Sequence, residues 1–115
     1  MYGYIGKVLI INLTDRTHEV RDLNPEWVEL FIGGATLGAR YLYELMPAKT
    51  PVFAPESVIG FVSGPLNGTK ALLGARSTVV SKSPVTGGWN DTSCGGSFGP
   101  NLRKSGYDAI FIQGK

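Results

Sequence analysis

The sequence predicts an α+β fold, a mixed or antiparallel β-sheet carrying a few short helices. Three observations lead there. Runs of β-branched and aromatic residues mix with helical spacings, without the strict strand–helix alternation of a doubly wound parallel sheet. Apolar residues make up 43% of the chain and charged residues 17%, a globular balance. The 115 residues suffice for one domain, burying about two thirds of the surface of the unfolded chain, and no linker or repeat divides them.

The elements follow in order. Tyr4 to Leu13 is rich in β-branched and aromatic residues and reads as a strand. Thr14-Asp15-Arg16 is turn chemistry, after which Thr17 to Arg21 pairs back as an edge strand. Asn24 followed by Pro25 starts a helix, with the asparagine as N-cap and the proline in the first helical position. That helix runs to Phe31 and meets Gly33-Gly34. A second helix is predicted from about Thr36 to Met46, with Leu37, Tyr41 and Leu45 on one core-facing stripe, and Pro47 ends it. Val58 to Ser63 reads as a buried strand and Gly64 to Gly68 as a loop. Arg76 to Lys82 forms a further strand, and Ser83 to Gly88 turns the chain. Asn90 to Gly96 is expected as an extended loop, Ser97 to Lys104 as a short helix closed by Ser105-Gly106, and Asp108 to Gln113 as a last strand.

Composition removes several classes of function. The net charge is +2 and no basic run exceeds two residues, so a nucleic-acid groove binder is not indicated. The apolar run Val8 to Ile11 is far too short to cross a bilayer, and no charged-then-apolar leader opens the chain, which makes a cytoplasmic location the expectation. A single cysteine and a single histidine leave no internal disulfide and no ligand cluster for zinc or iron–sulfur.

Glycine stands out: most of the 16 glycines fall within Gly60 to Gly74 and Gly87 to Gly99. The second stretch, Asn90-Asp91-Thr92-Ser93-Cys94-Gly95-Gly96-Ser97-Phe98-Gly99, runs into the predicted third helix. Such a junction offers free N–H groups and a positive dipole end to an anion, while paired glycines let a bulky ligand lie on the backbone. Asn90, Thr92 and Ser93 add short polar side chains, and Arg76 a guanidinium suited to phosphate. A glycine pair before a helix also serves as a plain turn, and Arg76 as a solvated strand-end residue. The spacing matches neither G-x-G-x-x-G nor a Walker loop.

Other candidates have quieter readings. Cys94, without a histidine or second cysteine nearby, is expected to be a small buried or half-buried thiol. His18 faces solvent, Asp91 caps a loop, and Asp108 bonds turn N–H groups at the start of a strand. Trp27 and Trp89 are packing anchors, with Trp89 alternatively rimming a ligand cavity.

The strings Ser81-Lys82-Ser83-Pro84-Val85-Thr86-Gly87-Gly88, Asn90 to Gly99 and Gly106-Tyr107-Asp108-Ala109-Ile110, with Gly64 to Thr69, Arg76 and the opening Met1-Tyr2-Gly3, closely resemble the N-terminal domain of aldehyde:ferredoxin oxidoreductases. The resemblance runs in register over essentially the whole chain. It implies one half of a pseudo-twofold domain that forms a floor under a tungsten ion held by two pterins (molybdenum replaces it rarely). It also implies a magnesium ion between the pterin phosphates and, in the remainder of the enzyme, a 4Fe–4S cluster. The implied chemistry is oxidation of an aldehyde to a carboxylic acid, with electrons passed to ferredoxin. By position, the pterin-contacting arginine falls on Arg76. The magnesium-binding main-chain carbonyl falls on Ser93, where the best-known members carry asparagine, and the glycine packed on the pterin on Gly95, beside Gly96. No catalytic residue falls in this chain, so it is expected to act with the rest of an oxidoreductase chain or a partner subunit. The alternative is a stand-alone, non-catalytic protein that kept the fold and binds an anion or cofactor, or that forms a homodimer.

Overall fold

The computed structural model describes residues 2–115. Strand β1 (Lys7–Asn12) turns through Arg16, whose φ of 54° suits a tight reversal, into the edge strand β2 (Thr17–Asp22). Helix α1 (Pro25–Phe31) starts as the local chemistry dictates: Asn24 Oδ1 accepts from Glu26 N–H at 2.9 Å and Trp27 N–H at 3.4 Å, with Pro25 in the first turn. Helix α2 (Gly34–Leu45) follows, and Met46, the residue before Pro47, is extended at φ −108°, ψ 121°. Then come β3 (Val58–Val62), β4 (Ser77–Lys82), β5 (Trp89–Cys94), α3 (Phe98–Lys104) and β6 (Ala109–Gln113).

The six strands form one sheet in the order β2-β1-β6-β3-β4-β5. β1 and β6 run parallel, and every other neighbouring pair is antiparallel. The α+β mixed sheet of the sequence reading is therefore the fold. One stretch differs: residues 89–94 are a strand, where an extended loop was expected from Asn90. Asn, Asp and Ser are poor strand formers, but the Ser83–Gly88 turn folds them back on β4 and cross-strand pairing overrides local preference.

Helices α1 and α2 cover one face of the sheet. Val8, Val62, Val80, Ala109 and Phe111 are fully buried there beneath Leu37, Tyr41 and Leu42. The Phe111 ring stacks on Tyr41 at 4.9 Å, and Trp27 meets Tyr41 edge-on at 5.0 Å, so Trp27 is the packing anchor expected. Burial pushes the Tyr41 phenol above its ordinary pKa. The Leu37–Tyr41–Leu45 stripe points into this core, with Leu45 at its margin.

Two features reverse or support side-chain expectations. Cys94 is exposed, because β5 is the last strand and nothing among the described residues packs over it. Asp108 is 2% exposed and accepts from the N–H groups of Ile5 at 3.1 Å, Gly6 at 2.6 Å and Lys7 at 3.3 Å, the turn-binding role read from sequence. Its Oδ1 also lies 3.4 Å from Arg103 Nε, which ties α3 to the start of β1.

The close seating of α2 on the sheet depends on Gly38. A Cβ there would lie 2.8 Å and 2.9 Å from the two methyls of Val80, which is fully buried and has no room to turn. Gly38→Ala is expected to cost about 1–3 kcal/mol in a urea titration, although alanine is the better helix former. An unchanged midpoint would mean that α2 lifts off the sheet without penalty.

Candidate functional site at one end of β4

β5 is an outer strand, so only one of its edges is paired. Antiparallel ladders bond alternate residues. Ser83 N–H donates to Gly88 C=O at 2.8 Å, and steps of two from that pair make Asn90, Thr92 and Cys94 the residues bonded to Ser81, Val79 and Ser77. Independent phasing agrees. Ser63 N–H donates to Asp108 C=O at 3.0 Å, which turns the main-chain groups of Gly60 and Val62 towards β4 and those of Thr78 and Val80 towards β3. The N–H and C=O groups of Trp89, Asp91 and Ser93 therefore point off the open edge of the sheet.

This phasing separates the residues singled out from sequence. The Ser93 carbonyl is free on the edge. Asn90 and Thr92 have their main-chain groups committed to β4, and their side chains stand on the sheet face opposite that of Ser93; Asn90 Nδ2 reaches Ser81 Oγ at 3.3 Å. The Asp91 side chain takes the indole N–H of Trp89 at 3.1 Å within the strand rather than capping a loop. Trp89 itself is 48% exposed. It borders a groove of about 350 Å³ with Leu42, Tyr43, Met46 and Lys82, four residues along the strand from Ser93, or about 13 Å. Its place is at the far end of β4, where it is neither a buried anchor nor a rim for the Ser93 end.

Four residues converge at the near end. Ser77 pairs with Cys94, and one further step of the register sets Arg76 across from Gly95. Arg76 is exposed, and among the described residues no hydrogen bond or ion pair engages its guanidinium. A Cβ at Gly95 or Gly96 would have no neighbour within 4 Å, so both glycines face open space. Gly96 also has φ +94°, which favours glycine for backbone reasons; Gly95 lacks even that requirement.

Sequence reasoning missed a second contributor. The sequence-based anion site relied on the third helix, but α3 has seven residues, Ser97 makes no side-chain cap, and Gly99 is buried against Asn67, Ala75 and Ser77. The longer α2, with 12 residues, starts two residues earlier than expected, and its N-cap Gly33 offers no side-chain acceptor. Gly34 sits beside Thr78, the cross-strand partner of Ser93, where an added Cβ would lie 3.3 Å from Thr78 Oγ1. The positive end of the α2 dipole thus lies on the Ser93 side of the sheet. The signal was the pair Gly33-Gly34 itself, read only as a break.

The arrangement suits a bulky anion. Among the described residues it presents an unpaired guanidinium, a helix N-terminus, an edge carbonyl able to take a hard cation, and two glycines with nothing over them. Among the described residues no three His, Cys, Asp or Glu side chains gather to hold a metal, so a redox metal here would need ligands from a cofactor or from other polypeptide.

Residues 8–115 match the family described as aldehyde ferredoxin oxidoreductase, N-terminal domain. The whole chain is 42% identical to a tungsten-containing aldehyde ferredoxin oxidoreductase of Pyrococcus abyssi and 40% identical to that of Pyrococcus horikoshii, and it spans 19% of the length of each. Among solved structures, it superimposes with a TM-score of 0.95 and 34% identity on the active-site complex BamBC of benzoyl coenzyme A reductase in complex with 1,5-dienoyl-CoA. The overlap covers 99% of this chain and 18% of that one.

Proposed function

The chain belongs to the aldehyde ferredoxin oxidoreductase N-terminal domain family, and from that premise we propose that residues 1–115 form a single unit supplying part of the floor beneath a tungsten bis-pterin. The observation that carries the reading is the convergence of Arg76, Ser93, Gly95 and Gly96 at one end of β4. Among the described residues the Arg76 guanidinium has no partner, the Ser93 main chain faces the open edge, and a Cβ at either glycine would meet nothing within 4 Å. When bound, the cofactor supplies two-electron redox chemistry, the oxidation of an aldehyde to a carboxylic acid in this reading. The protein's part is to bind and orient. Arg76 takes a phosphate or pterin oxygen. The Ser93 carbonyl would offer an oxygen to a magnesium ion accompanying the cofactor, a role that depends on main chain and so tolerates serine. Gly95 and Gly96 let the ring system approach the backbone, and the α2 N-terminus adds positive potential. Asn90 and Thr92, on the opposite face, shape the strand rather than touch the ligand. The 4Fe–4S cluster and the route to ferredoxin belong to the remaining polypeptide. A cytoplasmic location goes with this reading; no described helix is long and apolar enough to cross a membrane.

The test uses the complete oxidoreductase polypeptide, expressed with tungstate and assayed for metal by mass spectrometry. Arg76→Ala is expected to lower tungsten per chain about 10-fold, as loss of a charged hydrogen bond worth roughly 1.5–3 kcal/mol implies. Arg76→Lys should retain part of it, having the charge but not the fork. Full occupancy in Arg76→Ala would remove this residue from the site.

A specific observation also favours pairing. Leu9, Ile11, Ile59, Phe61, Val79, Ile110 and Ile112 stand on the sheet face that α1 and α2 do not cover, with Phe53 at 75% and Leu13 at 51% exposure beside them. In the complete enzyme the remaining polypeptide covers this face. The 115-residue chain alone is expected to form a homodimer through it, or to aggregate. Sedimentation as a monomer at high micromolar concentration would refute that expectation.

A further inference from the structure

Arg76 ends a poorly packed segment. Leu72 and Leu73 are 92% and 83% exposed, and regular structure starts only at Ser77. A guanidinium on such a root would spread over many positions unless something fixed the main chain beneath it. One buried side chain does so. Asn67 is 4% exposed, and its amide is fully used. Oδ1 accepts from Gly64 N–H at 2.6 Å, while Nδ2 donates one proton to Gly74 C=O at 3.1 Å and the other to Arg76 C=O at 2.8 Å. The orientation of the amide is dictated by these partners, since a flipped group would set its oxygen against two carbonyls.

The other side of Asn67 is anchored. Gly64 C=O accepts from Arg103 Nη1 at 3.0 Å, and Arg103 is paired with buried Asp108. Gly99 presses against the same amide; a Cβ there would lie 3.0 Å from Asn67 Nδ2 and 3.1 Å from Ala75 O. A chain of contacts thus runs from Asp108 and α3 through one side-chain amide to the peptide of Arg76.

We propose that Asn67 is a positioning residue for Arg76, holding the main chain from which the guanidinium reaches its anionic ligand. The proposal rests on the cofactor-floor reading above. Asn67 touches no ligand; it acts only by narrowing where Arg76 can be.

The discriminating variant is Asn67→Asp, which keeps the shape and loses both donated protons, leaving carboxylate oxygen against two carbonyls. The complete polypeptide is used, with tungsten content, tungsten release into chelator and thermal unfolding as readouts. Expected is a several-fold faster release in Asn67→Asp, and in the Asn67→Asp/Arg76→Ala double variant a release no faster than in Arg76→Ala alone. A residue that merely stabilised the fold would instead speed release by the same factor in both backgrounds. Multiplying effects, or unchanged release in Asn67→Asp while Arg76→Ala loses tungsten, overturn the positioning role. If Arg76→Ala itself retains tungsten, the cofactor-floor reading fails instead. Should Asn67→Asp fail to accumulate, Asn67→Ser, which keeps one donor, is read in the same cycle.

Discussion

Gly60→Ala is expected to destabilise the fold by about 3 kcal/mol or more, at the upper end of what overpacking a core costs. Local preference points the other way, because glycine weakens a strand and alanine would regain roughly 0.5–1 kcal/mol. Packing decides the sign. A Cβ at position 60 would lie 2.4 Å and 2.6 Å from two ring carbons of Phe111 and 2.8 Å from a Val80 methyl. Phe111 is the cross-strand partner of Gly60, is wholly buried, and is held from above by Tyr41, so its ring cannot swing aside. A loss of this size is a large share of the 5–15 kcal/mol that ordinarily holds a domain together. Urea unfolding followed by tryptophan fluorescence gives the measurement. Shortening the opposing ring in Gly60→Ala/Phe111→Leu should recover part of the loss, with a coupling of about 1 kcal/mol or more. A Gly60→Ala chain that unfolds at the parent midpoint would show that this packing is looser than the distances imply.

The second large effect concerns function and leaves the fold alone. Gly95→Val is expected to lower tungsten per chain at least about 10-fold in the complete polypeptide while shifting stability by no more than about 0.5 kcal/mol. Gly95 has no neighbour within 4 Å of its missing Cβ, and its φ lies outside the positive range that L-residues avoid. Nothing among the described residues calls for glycine at this position, and the proposed cofactor floor supplies a reason from outside, a ring system laid on the backbone. Gly96 is a poorer probe, because at φ +94° any side chain strains the backbone and mixes the two effects. Thermal unfolding and metal content measured on the same sample separate them. Full tungsten in a stable Gly95→Val enzyme would place the cofactor elsewhere; joint loss of both would make the glycine structural.

Local chemistry was readable to the extent that it acts locally. Asn24 and Pro25 start α1, Pro47 extends the residue before it and stops α2, and Asp108 gathers turn amides, each through bonds spanning a few residues or a fixed φ. The apolar runs likewise located β1, β3 and β6, because their side chains alone identify buried strands. Sequence grouped Arg76, Asn90, Thr92, Ser93, Gly95 and Gly96; the register brings four of them to one end of β4 and turns the side chains of Asn90 and Thr92 to the opposite face. The misplacements share a cause. Residues 89–94 carry almost no strand preference and became β5 only because β4 lies alongside. Cys94 lost its cover for the same reason, being on the strand with no outer neighbour.

Composition and spacing thus sufficed for the α+β class and most element starts and stops, and they singled out the glycine-rich stretch from Gly87 to Gly99. They did not disclose the strand order, the free main-chain edge at Ser93, the turning of Asn90 and Thr92 to the opposite face, or the amide of Asn67 beneath Arg76. Caps, turns and side-chain alternation depend on neighbours within a few positions, which a linear sequence displays. Whether a given N–H or C=O is spent or free depends instead on a partner far along the chain, and that partner is chosen only when the sheet assembles around its core.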